Sequence, residues 1–351
     1  MLEDYGWSEW LQRQFAPFAA QQLMPGRVTA QHRDRLDLIT EAGEISAEIA
    51  GRLAFEARAG VLPCVGDWVA AQPPQAGGPA LVRAVLERRT AFTRRGPLGE
   101  LQVVAANADL AFVVLSLEGP PALRRLERYL AAAWASGAAP LVVLTKADLD
   151  PDPAGSAAAV RRAGAPAIVV SAATGEGLPA VREALAPGVT AVMVGASGAG
   201  KSTLANALLG ETRLAVGEVR ADDKRGRHTT TRRELILLPG GGLLLDTPGM
   251  RELTLDDAGE GLASAFDDIE ALAAGCRFSD CAHEGEPGCA VRAALEAGAL
   301  DAGRWRSFQK LRREVAHQAA QEDPLLREAR RKRWIAIHKA GRARYRARER
   351  D

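Results

Sequence analysis

Gly195-Ala196-Ser197-Gly198-Ala199-Gly200-Lys201-Ser202 is the stretch on which the reading of this chain turns. It matches G-x-x-x-x-G-K-[ST], follows an apolar run at 191–194 and precedes a stretch of helical texture at 203–209. Strand, glycine loop, helix is the context that a phosphate-cradling loop requires. The glycines let the backbone curl until its N–H groups face phosphate oxygens, and the helix start adds positive dipole. Lys201 brings a point charge to the β- and γ-phosphates, Ser202 offers a hydroxyl to Mg²⁺, and Thr203 continues the helix beside them.

Downstream, Asp246-Thr247-Pro248-Gly249 closes the apolar run 243–245. A carboxylate at the end of a buried strand can hold Mg²⁺ through water, and the Gly249 amide can sense a γ-phosphate. Upstream, Thr145-Lys146-Ala147-Asp148 ends the run 141–144, and Ser171-Ala172-Ala173-Thr174 follows 167–170. The first is the [NT]-K-x-D pattern. Its carboxylate can accept two N–H bonds from a purine edge, which selects guanine over adenine, while Lys146 lies along the base. The second is the S-A-x pattern that completes a guanine pocket. Alone, either tetrapeptide is an ordinary polar turn; together, each at a strand's C-terminal end, they mark where α/β sheets bind ligands. Ordinary GTPases place these two motifs last. Here they come first. A compact domain tolerates that permutation when a connection, here around 186–190, joins the old termini.

Gly226-Arg227-His228-Thr229-Thr230-Thr231 lies between the phosphate loop and Asp246, where a switch threonine closes on Mg²⁺ and the γ-phosphate. Thr230 is the candidate, with Thr229 next to it. The position that carries a water-orienting Gln in Ras-like proteins is Met250, which offers no useful hydrogen bond. His228 is the in-chain group that can take over, since a neutral imidazole accepts from water. The alternative is that His228 orders the loop or meets RNA. Lys224, Arg225, Arg227, Arg232 and Arg233 make the segment basic, which suits an RNA-facing switch and equally a solvated loop.

Cys276-x4-Cys281-x-His283-x5-Cys289 offers three thiolates and an imidazole. Such a set suits tetrahedral Zn²⁺ with no open position, hence a structural role. Cys64 stands apart and reads as a small core residue.

The 351 residues exceed one ordinary domain, and 47% hydrophobic content allows a sizeable core. A net charge of +1 says nothing about nucleic acid, but its distribution does: from Arg327 to Arg350 there are eleven Lys or Arg against Glu328 and Glu349. That tail reads either as an RNA-binding arm or as a solvated charged helix. No apolar run reaches the roughly 18–20 residues of a membrane span, and the acidic start Met1-Leu2-Glu3-Asp4 is unlike a signal peptide, so a cytoplasmic protein is expected. Residues 1–24 carry Trp7, Trp10, Leu11, Phe15 and Phe18 at the spacing of a short docking helix. From Gly26 to about Arg89, short alternating stretches separated by Gly and Pro predict a β-barrel of about five strands. Arg52, Arg58, Trp68 and Arg83 are candidate RNA contacts there; ordinary surface charge is the alternative for the arginines, and for Trp68 core packing is the favoured reading. From about Ala106 the texture is that of a mostly parallel sheet covered on both faces.

The permuted order, the G-R-H-T-T segment and the C…C-x-H…C cluster resemble the circularly permuted, ribosome-small-subunit-dependent GTPases, the RsgA/YjeQ family. The resemblance covers about 25–320. It implies a multidomain protein with an OB-like β-barrel (25–95), a circularly permuted P-loop α/β GTPase domain (96–255) and an α-helical zinc-binding domain (256–320). An N-terminal extension (1–24) and a basic tail (321–351) flank them. It also implies a protein that uses GTP with Mg²⁺, carries one structural Zn²⁺, binds the small subunit and its rRNA, and acts late in subunit assembly; a monomer is expected. Two other classes compete: a zinc-stabilised RNA-binding module in which nucleotide only adds rigidity, and an ATP-using P-loop enzyme. Asp148 argues against the latter.

Overall fold

In the computed structural model, residues 1–32, 35–56, 62–75, 77–95, 101–214, 233–246 and 259–320 are described. Arg58, His228, Thr229, Thr230, Gly249, Met250 and the tail from Arg327 lie outside them. α1 (Glu9–Ala19) begins at Ser8, whose hydroxyl accepts from the Leu11 amide. Its Leu11 and Phe15 are buried against Trp68 and Leu86, and the Trp7 ring meets Trp68 edge-on at 4.9 Å. Full burial of such side chains contributes about 1.5–3 kcal/mol each. The N-terminal segment therefore docks on the strands that follow, and Trp68, 2% exposed, belongs to that core rather than to a surface.

Those strands are β1 (Met24–Gln31), β2 (Leu36–Thr40), β3 (Gly43–Ile49), β4 (Trp68–Gln72) and β5 (Ala80–Val85), with α2 (Gly51–Glu56) between the third and fourth. They pair in the order β1-β2-β3-β5-β4, and β4 returns to β1, closing a five-strand barrel. Val28, Leu38, Ala47, Val69 and Val82 fill its interior. Closure, with β3 and β5 parallel, is the OB-like arrangement. A separate hairpin, β6 (Ala91–Arg95) and β7 (Leu101–Ala106), leads out of it.

The remaining strands are β8 (Leu110–Ser116), β9 (Ala139–Thr145), β10 (Ala167–Val169), β11 (Thr190–Val194), β12 (Arg233–Leu237) and β13 (Leu243–Asp246), in the order β10-β9-β8-β11-β13-β12. All pairs are parallel except β12 with β13. Buried on both faces, these strands alternate sides with the period of two that a pleated strand imposes. Ala111, Val113, Leu115, Val192 and Val194 face one core with α3 (Leu123–Ala135) and α4 (Pro153–Arg162). Phe112, Val114, Ala191 and Met193 face the other with α5 (Leu178–Ala184) and α6 (Lys201–Leu209). β12 also pairs with β1, through Ala30 with Glu234 and Gln31 with Arg233, so barrel and α/β layer share one eleven-stranded sheet.

α7 (Gly259–Ala265), α8 (Asp267–Ala274), α9 (Ala290–Glu296) and α10 (Ala302–Ala320) follow. α7 lies so close to α3 that a Cβ on Gly261 would stand 2.4 Å from the Ala131 carbonyl oxygen; only glycine permits that approach. Leu262, Phe266, Trp305 and Phe308 extend the α3-side core into this region. Arg304, 8% exposed, donates to Asp268 at 2.6 and 2.8 Å and to Glu127 of α3 at 3.3 Å. No helix among the described residues is long and apolar enough to cross a membrane.

Arg27 pins the junctions. It is fully buried in β1 and donates to the carbonyls of Tyr5, Gly66 (3.2 Å) and Asn107 (3.0 Å), joining the N-terminal turn, the barrel and the end of β7. Burial pulls its pKa down to about 10, against the opposing pull of Asp109 and Asp67.

Candidate nucleotide site and metal centre

The phosphate-loop residues follow β11 and run into α6. A Cβ on Gly195 would fall 2.4 Å from the Val114 carbonyl oxygen, so the loop can lie on β8 only without one. Gly200 has φ +88 and sits beside the Thr145 hydroxyl, again a glycine conformation. Lys201 folds over the loop, its Nζ donating to the carbonyls of Gly195 (2.8 Å) and Ala196 (2.7 Å). Ala196, Ser197, Gly198 and Ala199 face a cleft of about 440 Å³ between this loop and the end of β8. Ser202 and the exposed Thr203 lie in the first turn of α6. Asp246 ends β13, the strand beside β11.

The upstream motifs converge on the same edge of the sheet. Thr145, buried at the end of β9, donates its hydroxyl to the Ala199 carbonyl at 2.6 Å, with the Leu115 carbonyl 3.2 Å away. Lys146 takes the left-handed conformation, φ +58, uncommon for a residue with a side chain. Ala147 is buried, and its amide donates to Val170, which ties this turn to the end of β10. Ser171 is fully buried; its hydroxyl donates to Asp148 Oδ1 at 2.5 Å and accepts from the Thr174 amide at 3.2 Å. Ala172, half-buried, follows it. The Asp148 carboxylate is thus oriented from one side while the residue stays exposed to a ligand.

One contributor escaped the motif reading. Glu118, just past β8, accepts from Lys146 Nζ at 2.7 Å and lines the same cleft. The available signal was positional: Ser116-Leu117-Glu118-Gly119-Pro120 leaves the strand next to β11, at the point where the chain order reverses and α/β sheets bind ligands.

Cys276, Cys281, His283 and Cys289 come together between α8 and α9, their ligand atoms all within 4.8 Å of one another. Zn–S bonds of about 2.3 Å and Zn–N bonds of about 2.0–2.1 Å in a tetrahedron give S–S edges of about 3.8 Å and S–N edges of about 3.5 Å. Here Cys276 and Cys289 sulfurs are 4.0 Å apart, and His283 Nδ1 lies 3.5 and 3.4 Å from them. The donor set therefore fits one tetrahedral ion bound through Nδ1. Desolvation raises the Cys276 thiol pKa, but the amides of Val291 and Ala290 at the start of α9 help to outweigh it and the net shift is downward, whereas desolvation and the neighbouring thiols push Cys281 up to about 11. His283 also has positive φ, +63. Glu286 gathers its loop by accepting from the amides of Ala282, Glu284 and Gly285 at 2.8–3.0 Å, and those bonds draw its carboxyl down to about 2. Trp305 stands edge-on to the His283 ring at 5.7 Å.

The family model of the RsgA GTPase matches residues 85–256. The small ribosomal subunit biogenesis GTPase RsgA of Opitutus terrae is 49% identical to this chain, over 98% of each. The chain belongs to the RsgA GTPase family. As a member it is a GTP-hydrolysing enzyme. The RsgA of Streptomyces coelicolor is likewise 49% identical, over 95% of this chain and 92% of its own. The crystal structure of YjeQ from Thermotoga maritima matches with a TM-score of 0.65 at 27% identity, covering 84% of this chain and 99% of that one. YloQ, titled a circularly permuted GTPase, matches with a TM-score of 0.61 at 23% identity, covering 84% and 96%, and so supports the RsgA fold alone.

Proposed function

We propose that this enzyme couples GTP hydrolysis to late maturation of the small ribosomal subunit, that the subunit stimulates turnover, and that hydrolysis lowers affinity and releases the factor. The observation that carries this reading is the convergence of the permuted motifs on one edge of the sheet, Thr145 against Ala199 and Asp148 against Ser171, in a chain about half identical to RsgA proteins over nearly its whole length.

In this reading Asp148 accepts from the guanine edge, Lys146 lies along the base, and Ser171 and Ala172 complete the pocket. The amides of 195–200 and the Lys201 ammonium hold the phosphates once Lys201 leaves its loop carbonyls. Ser202 and Thr230 would hold Mg²⁺, with Asp246 acting through water; when bound, the ion neutralises charge on the phosphate oxygens. Gly249 senses the γ-phosphate. Met250 cannot orient water; His228, accepting through a neutral ring nitrogen, is the in-chain group for that role, and a group of the subunit itself is the alternative. His228→Ala then keeps GTP affinity and loses subunit-stimulated turnover; undiminished stimulated turnover removes His228 from the chemistry.

Zn²⁺ is the ion proposed for the Cys276, Cys281, His283 and Cys289 set, with a structural role. For rRNA, Arg52 and Arg83 line one barrel groove of about 800 Å³ with Gln21, Gln22 and Gln72, and the tail from Arg327 adds salt-dependent affinity. The protein acts as a single chain in the cytoplasm. Sedimentation with purified small subunits tests the cycle. Co-sedimentation with a non-hydrolysable GTP analogue and release with GDP are expected; equal binding in both states would favour an RNA-binding module instead.

A further inference from the structure

Glu118 belongs to none of the sequence motifs, yet it touches one of their side chains. Its Oε2 accepts from Lys146 Nζ at 2.7 Å and from Ser116 Oγ at 3.0 Å, while Ser116 Oγ accepts from the Glu118 amide at 3.3 Å. Residues 116–118 therefore close on themselves and present the carboxylate at a fixed place at the end of β8. Hydrogen bonds from Lys146 and Ser116 hold that carboxyl below its ordinary value, which favours its charged form. Lys146 is held from its own side by a left-handed backbone. Both side chains line the cleft that Ala196, Ser197, Gly198 and Ala199 border.

Fold stability does not account for the pair. The two side chains are 32% and 58% exposed, and ion pairs that exposed contribute little to folding. Ligand binding is where the arrangement matters. A lysine stem has much rotational freedom to lose when a ligand fixes it, and an anchor that fixes it beforehand removes that loss from binding.

We propose that Glu118 is a positioning residue for the base: it holds the Lys146 ammonium at the cleft mouth so that the lysine stem is laid out in advance for the flat face of the purine. The inference rests on the reading of 145–148 as the guanine motif. It assigns Glu118 to the face of the base, whereas Asp148 reads its edge. Losing Glu118 weakens guanine and hypoxanthine nucleotides alike, because they share a face and differ at the edge by one amino group. It leaves the phosphates, and the chemistry on them, as they were.

The test uses the full-length protein and Glu118→Gln. Dissociation constants for GDP and inosine diphosphate are measured by competition with a fluorescent GDP analogue, and kcat and KM for GTP with small subunits present. Glu118→Gln should raise both dissociation constants about fivefold, the scale of one immobilised long side chain. Their ratio, kcat and the melting temperature should hold, and Glu118→Asp should recover part of the affinity. GDP affinity within twofold of wild type overturns the proposal. A changed GDP-to-inosine-diphosphate ratio also overturns it, since Glu118 would then act on the edge, as does a fall in kcat with affinity intact. Asp148→Asn tests the underlying reading separately: if that variant leaves discrimination between the two nucleotides unchanged, 145–148 is not the guanine motif, whatever Glu118→Gln does.

Discussion

The Thr145 hydroxyl donates to the Ala199 carbonyl at 2.6 Å, tying the end of β9 to the phosphate loop across the intervening β8. Thr145→Val keeps the volume and removes the donor, leaving the buried Ala199 carbonyl without it. Leaving such a group unsatisfied costs about 1–3 kcal/mol. Denaturant midpoints should fall accordingly, and GTP affinity should fall with them, because base and phosphate subsites lose their shared brace.

Ser171 gives Asp148 Oδ1 a hydrogen bond at 2.5 Å and so orients the carboxylate. Asp148→Asn replaces one acceptor with a donor. Two charge-assisted bonds to guanine are then compromised, and GTP affinity should drop about 100-fold or more. Xanthosine triphosphate, which carries a carbonyl where guanine carries its amino group, should gain. Competition binding with both nucleotides reads the exchange.

One zinc per chain is expected by elemental analysis of the purified protein. Chelation, or Cys289→Ser, should remove amide-exchange protection from α9 and the start of α10, since Trp305 packs on His283 and on Phe308. The strands β8, β9 and β11 should keep theirs. A staple on a small helical region acts locally first.

Arg304 links Asp268 of α8 to Glu127 of α3, and Glu127 is 1% exposed. Arg304→Met should cost about 1–3 kcal/mol, the scale of lost hydrogen bonds to charged groups, because Glu127 keeps Arg124 at 3.1 Å and Asp268 is half-exposed. Burial raises the Asp268 carboxyl, but the Arg304 guanidinium and its hydrogen bonds outweigh it, so the folded pKa lies below the unfolded one. The unfolded chain therefore binds the proton more readily. This stabilisation is complete above the unfolded value of about 3.9 and is lost as pH falls through the lower folded value. Melting temperatures measured below about pH 4 should fall less steeply for Asp268→Asn than for wild type.

Motifs that need a particular backbone were legible from residue types alone. A strand, Gly195 to Ser202 and a helix can be built in few ways, and the cysteine set announces its ligands. The buried parallel strands were legible too, as unbroken apolar runs. β12 was not: Arg233-Glu234-Leu235-Ile236-Leu237 mixes charge and apolar residues because it is the antiparallel strand between two units, and its pairing with β1 is a long-range contact that no local pattern encodes. Trp68 carried two readings, with core packing the favoured one, because a tryptophan on a strand suits a core or a nucleic-acid face. Its fate depended on Trp7 and Phe15, far away in sequence. Glu118 was invisible for a similar reason. A lone glutamate before Gly-Pro has the look of a solvated turn until the fold sets it against Lys146.

GTP turnover of the full-length protein, measured with and without purified small ribosomal subunits, tests the central claim most directly. Slow intrinsic hydrolysis, a rise of about 10-fold or more on adding subunits, and no turnover of ATP are predicted, in keeping with the scale of catalytic groups ordered by a partner. Turnover that small subunits leave unchanged, or that ATP supports equally, would contradict it.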